Sequence, residues 1–334
     1  TGKTADGFTI AAGESSYLAR RVIIATGSKA FIPPIDGLSD VPYWTAREAL
    51  EVEELPKSIV VLGGGVIGME FVSLFSTLGV DVTVVEMLPK ILGPMDEELS
   101  TELQQAFEKR KVKFHLSTKV TAVRDGKVIA EHEGEQLEIP FDKLLVSVGR
   151  RAVTDGLGLE TVGVELQRGA IVVDEHLETS VPGIYAVGDV NGVSMLAHTA
   201  AREGQVAVHH ITDYPDAMSY RAIPGIVYTD PEIASVGKTE QELRTAGVDY
   251  QVHRVPMSLS GRFVIENEQG NGFCKLLTDS EGVILGAHML GNGSSEILVP
   301  AIMAVEQRMT LTELARIVFP HPTVSEIVRV AALS

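Results

Sequence analysis

Ser58-Ile-Val-Val-Leu62 runs straight into Gly63-Gly-Gly-Val-Ile-Gly68, and Asp81-Val-Thr-Val-Val-Glu86 follows one helix later. The first segment is apolar and β-branched, as a buried strand requires. Residues 66–78 read as a helix closed by Gly79, and 81–86 as the next strand. Such a βαβ unit demands a parallel sheet. Each part of Gly63-x-Gly65-x-x-Gly68 has a task. Gly63 allows the tight turn, Gly65 lets backbone approach a pyrophosphate, and Gly68 lets helix and strand pack together. The helix start offers N–H groups and a positive dipole end to phosphates. Glu86 closes the second strand, where a carboxylate accepts from ribose hydroxyls and repels a 2′-phosphate. The motif therefore predicts NAD binding in preference to NADP. A structural βα turn with an incidental glutamate would show the same spacing.

Further along, Asp96 is placed to cap a helix whose Leu99, Leu103 and Phe107 share one face. A meander of short strands is predicted between Lys111 and Ile139, turning at Asp125-Gly126 and Glu133-Gly134, and 144–148 reads as a buried strand. On the N-terminal side, residues 31–40 form a linker broken by two prolines and a glycine, through which no helix can run. Before it, a polar hairpin turning at Asp6-Gly7 and a short buried strand over 21–25 lead into Thr26-Gly27-Ser28. Strands at 171–173 and 183–187 precede a helix over 197–212. From Asp213 the pattern becomes α+β: strands at 225–228, 233–237, 250–255, 272–278 and 283–290 surround helices at 239–246 and 294–307. The first residues have little to pack against and no initiator Met, so an N-terminal portion is expected beyond this numbering.

Composition narrows the function. The 334 residues, room for two or three domains, carry 28 Lys and Arg against 45 Asp and Glu, a formal charge of −17. That balance argues against nucleic-acid binding and against an anionic membrane. The longest apolar stretch, 297–305, is too short to span a bilayer and contains Pro300. The one cysteine, Cys274, permits no intramolecular disulfide, CxxC pair or cysteine-rich zinc site; no metal site is expected.

Two further constellations carry chemistry. In Gly183-Ile-Tyr-Ala-Val-Gly188-Asp189 a strand delivers a carboxylate to a sheet edge, where it can bind a polyol hydroxyl; a plain turn is the alternative. Met195-Leu-Ala-His198 follows at a helix start. In His321-Pro-Thr-Val-Ser-Glu326 the carboxylate can orient the imidazole for acid–base work, or Thr323 and Glu326 can form a capping box.

Together these stretches, with Ile24-Ala-Thr-Gly-Ser28, Val148-Gly-Arg-Arg151 and Val227-Tyr-Thr-Asp-Pro-Glu-Ile-Ala-Ser-Val-Gly237, resemble the pyridine nucleotide–disulfide oxidoreductases, in family order and almost end to end. The resemblance implies an α/β fold with a Rossmann-like NAD-binding domain over 39–147, a partial FAD-binding domain over 1–38 and 148–212, and an α+β dimerisation domain over 213–334. It implies FAD-dependent oxidation of a dithiol, dihydrolipoamide carried on a lipoyl domain of a 2-oxo acid dehydrogenase complex or the glycine cleavage system, with reduction of NAD. By it, Gly63, Gly64, Gly65, Val66, Ile67, Gly68, Met69, Glu70, Glu86, Val120 and Gly149 contact NAD. Thr26, Gly27, Ser28, Asp189, Met195, Leu196, Ala197 and His198 contact FAD. His321 and Glu326 form the acid–base pair, completed across a homodimer. The family's first FAD motif and its redox cysteines have no counterpart in the chain, which is therefore expected to be about the last two-thirds of such an enzyme and inactive alone. Glutathione reductase-like enzymes favour NADP and place cations where Glu86 stands; mercuric reductases carry C-terminal cysteines absent here. A soluble transhydrogenase and a non-catalytic NAD-binding and dimerisation module stay open. A bacterial cytoplasm or a mitochondrial matrix is the expected location.

Overall fold

A computed structural model describes residues 2–4, 7–268 and 270–334. It divides into two compact units, residues 1–31 with 149–220 and residues 32–148 with 221–334.

In the second unit, the βαβ motif folds as its pattern requires. Four parallel strands lie in the order Lys143–Val146, Ser58–Leu62, Asp81–Val85, Lys113–His115. Alternation along Ser58–Leu62 sends Ile59 and Val61 to one face and Val60 and Leu62 to the other. The first face packs on the helices Val66–Thr77 and Glu97–Lys109 through Phe75, Leu99, Leu103 and Phe107. The second packs on an antiparallel meander, Lys119–Arg124, Lys127–His132 and Glu135–Pro140. Each fully buried Val, Ile, Leu or Phe contributes roughly 1.5–3 kcal/mol, so a strand covered on both sides holds the glycine turn firmly. The meander turns fall at Asp125-Gly126 and Glu133-Gly134, with positive φ at all four residues as a tight hairpin needs. Lys113–His115 departs from expectation: after the helix Glu97–Lys109 it returns parallel beside Asp81–Val85 and is no part of the meander. The linker also closes with a short 3-10 turn at Leu38–Asp40, anchored by buried Leu38.

The rest of this unit is a five-stranded antiparallel sheet in the order Gly225–Val227, Ile233–Gly237, Ile284–Leu290, Phe273–Thr278, Gln251–Pro256. Its core includes Leu276, Ala287, Met289, Ala301, Leu314 and Val328. The single helix expected over 294–307 is two, Ser294–Ile297 and Val299–Glu306. Pro300 explains the break, since proline lacks an N–H and is tolerated in a helix's first turn.

The first unit holds a three-stranded sheet, Gly2–Thr4, Gly7–Ala12 and Ser15–Ala19. The expected Asp6-Gly7 turn includes Asp6, which lies outside the described residues. Val22–Ile24 pairs in parallel with Ile184–Ala186, and Ser28–Ala30 pairs with Arg150–Ala152. The strand expected to be buried at 21–25 is shorter, and Ile23 is 41% exposed. Only Ala170–Ile171 forms of the strand expected at 171–173. The helix Ala197–Ile211 follows as predicted. Among the described residues no helix is long and apolar enough to cross a membrane.

Candidate nucleotide sites and an acid–base pair

The glycine turn shows which constraint acts on each glycine. Gly63 has φ +102°, and a Cβ there would meet the Ser147 carbonyl. A Cβ on Gly68 would run into the Gly63 carbonyl oxygen. Gly65 has nothing within 4 Å of its would-be Cβ, so its side of the turn is open. It is the N-cap of Val66–Thr77, with no side-chain cap. The first N–H groups of that helix therefore have no intrahelical partner and face the space beside Gly65.

Glu86 lies at the end of the neighbouring strand. Its carboxylate accepts from Gly64 N–H at 2.6 Å and from Leu88 N–H at 2.7 Å, one bond to each oxygen. Each oxygen keeps a second lone pair, so ribose hydroxyls can still donate to it. The open glycine, the uncapped helix start and this fixed carboxylate fit an adenosine diphosphate without a 2′-phosphate. On the same helix, Glu70 accepts from Tyr228 N–H at 3.0 Å, and burial raises its pKa. Val120 lies half-buried on the first meander strand, opposite Ala130.

In the first unit, Ser28 Oγ donates to Asp189 and accepts from Arg150 Nε at 2.7 Å. Arg150 also donates to the Ser28 carbonyl at 2.9 Å and lies 3.8 Å from Asp189. Thr26 Oγ1 donates to the Val153 carbonyl at 2.6 Å. The strand Ile184–Ala186 delivers Asp189 on a 3-10 turn, Gly188–Asn191. Gly27 and Gly149 both take positive φ and have open space at their would-be Cβ. Met195 and His198 are exposed at the start of Ala197–Ile211, whose N-cap Leu196 offers no side-chain bond. An acid, a guanidinium and an uncapped helix start suit the polyol and phosphate parts of a flavin nucleotide.

One residue of this turn escaped the sequence. Glu203 is fully buried and accepts from Gly188 N–H at 2.5 Å, Asn191 Nδ2 at 2.8 Å and Tyr220 Oη at 2.7 Å. It fixes the turn that carries Asp189, and burial together with its charge pushes the Tyr220 phenol far up. The signal lay in the periodicity: Thr199, Glu203, Val206 and Ala207 share the buried face of one helix, where a carboxylate needs partners.

His321 is 80% exposed and precedes the helix Glu326–Ala332. Its Nδ1–H donates to Glu326 Oε1 at 2.9 Å, which leaves Nε2 as the basic nitrogen. Thr323 N–H donates to Glu326 Oε2 at 2.9 Å, and these contacts hold the carboxyl below its usual range. Only this leg of the expected capping box forms. The Thr323 hydroxyl donates to the Pro320 carbonyl instead, and Ser325 occupies the cap position. Glu326 thus serves the backbone and the imidazole at once.

A parallel sheet with a glycine-rich turn, a second turn that presents a carboxylate, and an oriented histidine fit a nucleotide-dependent oxidoreductase. Residues 2–204 match the pyridine nucleotide–disulphide oxidoreductase family and residues 223–332 its dimerisation domain; the chain belongs to this family, whose cofactors are FAD and NAD. It is 39% identical to a dihydrolipoyl dehydrogenase of Cupriavidus necator, with all of this chain and 72% of that protein covered. It is 40% identical to the mitochondrial dihydrolipoyl dehydrogenase of Dictyostelium discoideum, covering 94% of this chain and 66% of the other. Among solved structures, LpdA from Mycobacterium tuberculosis superposes with a TM-score of 0.87 at 31% identity, over 96% of this chain and 70% of that one. The flavoprotein disulfide reductase RclA from Escherichia coli gives 0.86 at 28%, over 96% and 74%.

Proposed function

We propose that the chain serves the oxidation of protein-bound dihydrolipoamide, with NAD as the final acceptor, in a homodimer. The observation that carries this is the His321–Glu326 pair. An exposed imidazole with its far N–H held by a carboxylate suits a solvent-borne thiol, whose ordinary pKa near 8.5 leaves it mostly protonated at neutral pH. His321 Nε2 would take the thiol proton, and Glu326 would stabilise the resulting imidazolium. FAD, when bound, would pass two electrons on to nicotinamide, receiving them from the dithiol through the redox cysteine pair that the family uses and that has no counterpart among these residues. Thr26–Ser28, Asp189 and 195–198 would hold it, while Gly63–Glu70, Glu86, Val120 and Gly149 would hold NAD.

Residues 1–38 with 148–212, 39–147 and 213–334 are then the FAD, NAD and interface parts. Lipoyl domains of a 2-oxo acid dehydrogenase complex or of glycine cleavage are the partners, in a bacterial cytoplasm or a mitochondrial matrix. Dihydrolipoamide-dependent reduction of NAD by a flavin-loaded dimer that also carries the family's redox cysteine pair, which has no counterpart among these residues, tests the assignment. His321→Ala and Glu326→Gln should each lower turnover on the order of 10²-fold, while NADH-driven reduction of a one-electron dye persists. Normal dithiol turnover in both variants would contradict it.

A further inference from the structure

The strand Phe273–Thr278 is buried at every position, yet its third residue is a lysine. A solitary buried ammonium is costly. Lys275 Nζ, with no exposure, donates to Asp96 Oδ1 at 2.6 Å, Glu240 Oε1 at 2.7 Å and Glu98 Oε2 at 3.0 Å. Burial lowers its pKa, but these partners outweigh burial and raise it, so it stays charged. The three carboxylates are spaced closely enough to hold a metal ion, but the ammonium is already their cation. Asp96 and Glu98 head the helix after the Glu86 loop, whereas Lys275 and Glu240 belong to the region of the five-stranded sheet. Beside the cluster, Gln241 Nε2 donates to the Met95 carbonyl at 2.8 Å. Residues 95–98 are thereby gripped through a backbone carbonyl and two side chains.

The gripped residues end the loop that begins at Glu86. Glu86 accepts from Gly64, Leu92 N–H donates to the Gly64 carbonyl at 2.8 Å, and Met95 N–H donates to the Leu92 carbonyl at 2.9 Å. A Cβ built on Gly64 would lie 3.2 Å from Ile91 and 3.3 Å from the Glu86 side chain, so the loop packs directly against that glycine. Leu92 has φ 58°, a left-handed conformation that a leucine keeps only when its surroundings impose it. Ile91 and Leu92 are buried in the core of this unit and the Met95 carbonyl also accepts from Lys90 Nζ at 2.8 Å, so the loop takes its shape from this packing together with its anchors.

We infer that Lys275 and Gln241 are positioning residues for the nicotinamide nucleotide site: their grip on residues 95–98 holds the 86–95 loop, and with it the Glu86 carboxylate against Gly64. The inference rests on the assignment of Gly63–Glu86 to NAD. Ordinary glue between two sheets would stabilise the fold without tuning nucleotide affinity.

One of two variants separates these outcomes. Lys275→Met removes the ammonium but leaves buried carboxylates facing one another, which can prevent folding. Gln241→Leu is milder, because Gln241 already keeps a buried carbonyl oxygen without a partner and its loss costs the fold little. Amide hydrogen exchange and NADH fluorescence titration are then read on wild type and Gln241→Leu. The expected result is local: exchange at Leu92 quickens about tenfold, as the loss of one hydrogen bond implies, while amides of Asp81–Val85 stay protected. NADH binding weakens about three- to tenfold with an unchanged melting temperature. Unaltered Leu92 exchange and NADH affinity in folded Gln241→Leu would overturn the inference and leave the cluster as glue. A wild-type chain that binds no NADH would overturn the nucleotide assignment first, and this inference with it.

Discussion

Gly65 and Gly68 sit one helical turn apart and answer to different constraints. A methyl group at Gly68 would strike the Gly63 carbonyl, whereas at Gly65 it would enter open space at an ordinary φ of −74°. Gly68→Ala should therefore cost about 1–3 kcal/mol of stability, measured by chemical denaturation. Gly65→Ala should fold with stability within about 0.5 kcal/mol of wild type and lose NADH affinity, because the methyl occupies the pyrophosphate's approach. Equal stability loss in both would mean that the turn is only structural. At His321, the Glu326 contact fixes the proton on Nδ1. Nitrogen-15 spectra of the neutral imidazole should show Nε2 unprotonated in wild type and a mixture of tautomers in Glu326→Gln. An identical spectrum in the variant would remove Glu326 from its orienting role.

Besides Lys275, the strands Phe273–Thr278 and Ile284–Leu290 bury two further titratable groups, Cys274 and His288. Burial pushes the Cys274 thiol up to about 12, so an aromatic disulfide reagent should label it only at the rate of unfolding; rapid labelling of the native chain would contradict its placement. His288 lies directly across from Lys275, and its Nε2–H donates to the Lys238 carbonyl at 2.9 Å. Burial holds its pKa below the ordinary 6.5. The folded state keeps this imidazole neutral, while the unfolded chain takes a proton once pH falls through 6.5. The contribution is thus present above pH 6.5 and is lost progressively as pH falls below it. Urea midpoints over that range should fall in wild type and fall less in His288→Gln; parallel slopes would rule out His288 as their source.

These elements also show what the sequence disclosed. Apolar, β-branched runs such as Ser58–Leu62 and turn pairs such as Asp125-Gly126 are local signals, and they held. The Lys113–His115 strand was misplaced because its partner, Asp81–Val85, is set by a crossover and not by neighbouring residues. Lys275 stands inside the buried run Phe-Cys-Lys-Leu-Leu-Thr and went unread, because its three carboxylates lie up to 179 residues away in the chain. No local pattern names such partners.

Across the whole molecule, the glycine turn at Gly63–Gly68, the turn that carries Asp189 and the His321–Glu326 contact were legible because each lies within a few consecutive residues. The supports behind them, Glu203 under Asp189 and Lys275 behind the Glu86 loop, were not, since they act through tertiary contacts. The charge of −17 bears on the molecule as a whole. It should slow capture of any partner that is itself acidic at low ionic strength, so for such a partner added salt up to about 0.15 M should raise the association rate in stopped-flow; a rate that falls with salt would point to a basic docking face. The central claim is that Gly63–Gly68 and Glu86 form an NAD site that rejects NADP. Calorimetric titration of the purified chain with NADH and NADPH, repeated on Glu86→Ala, tests it most directly. NADH should bind saturably and at least about tenfold more tightly than NADPH, with the gap closing in the variant, since a hydrogen bond to a charged group is worth about 1.5–3 kcal/mol. Equal affinity for the two nucleotides in wild type, or a preference that survives the loss of Glu86, would contradict it.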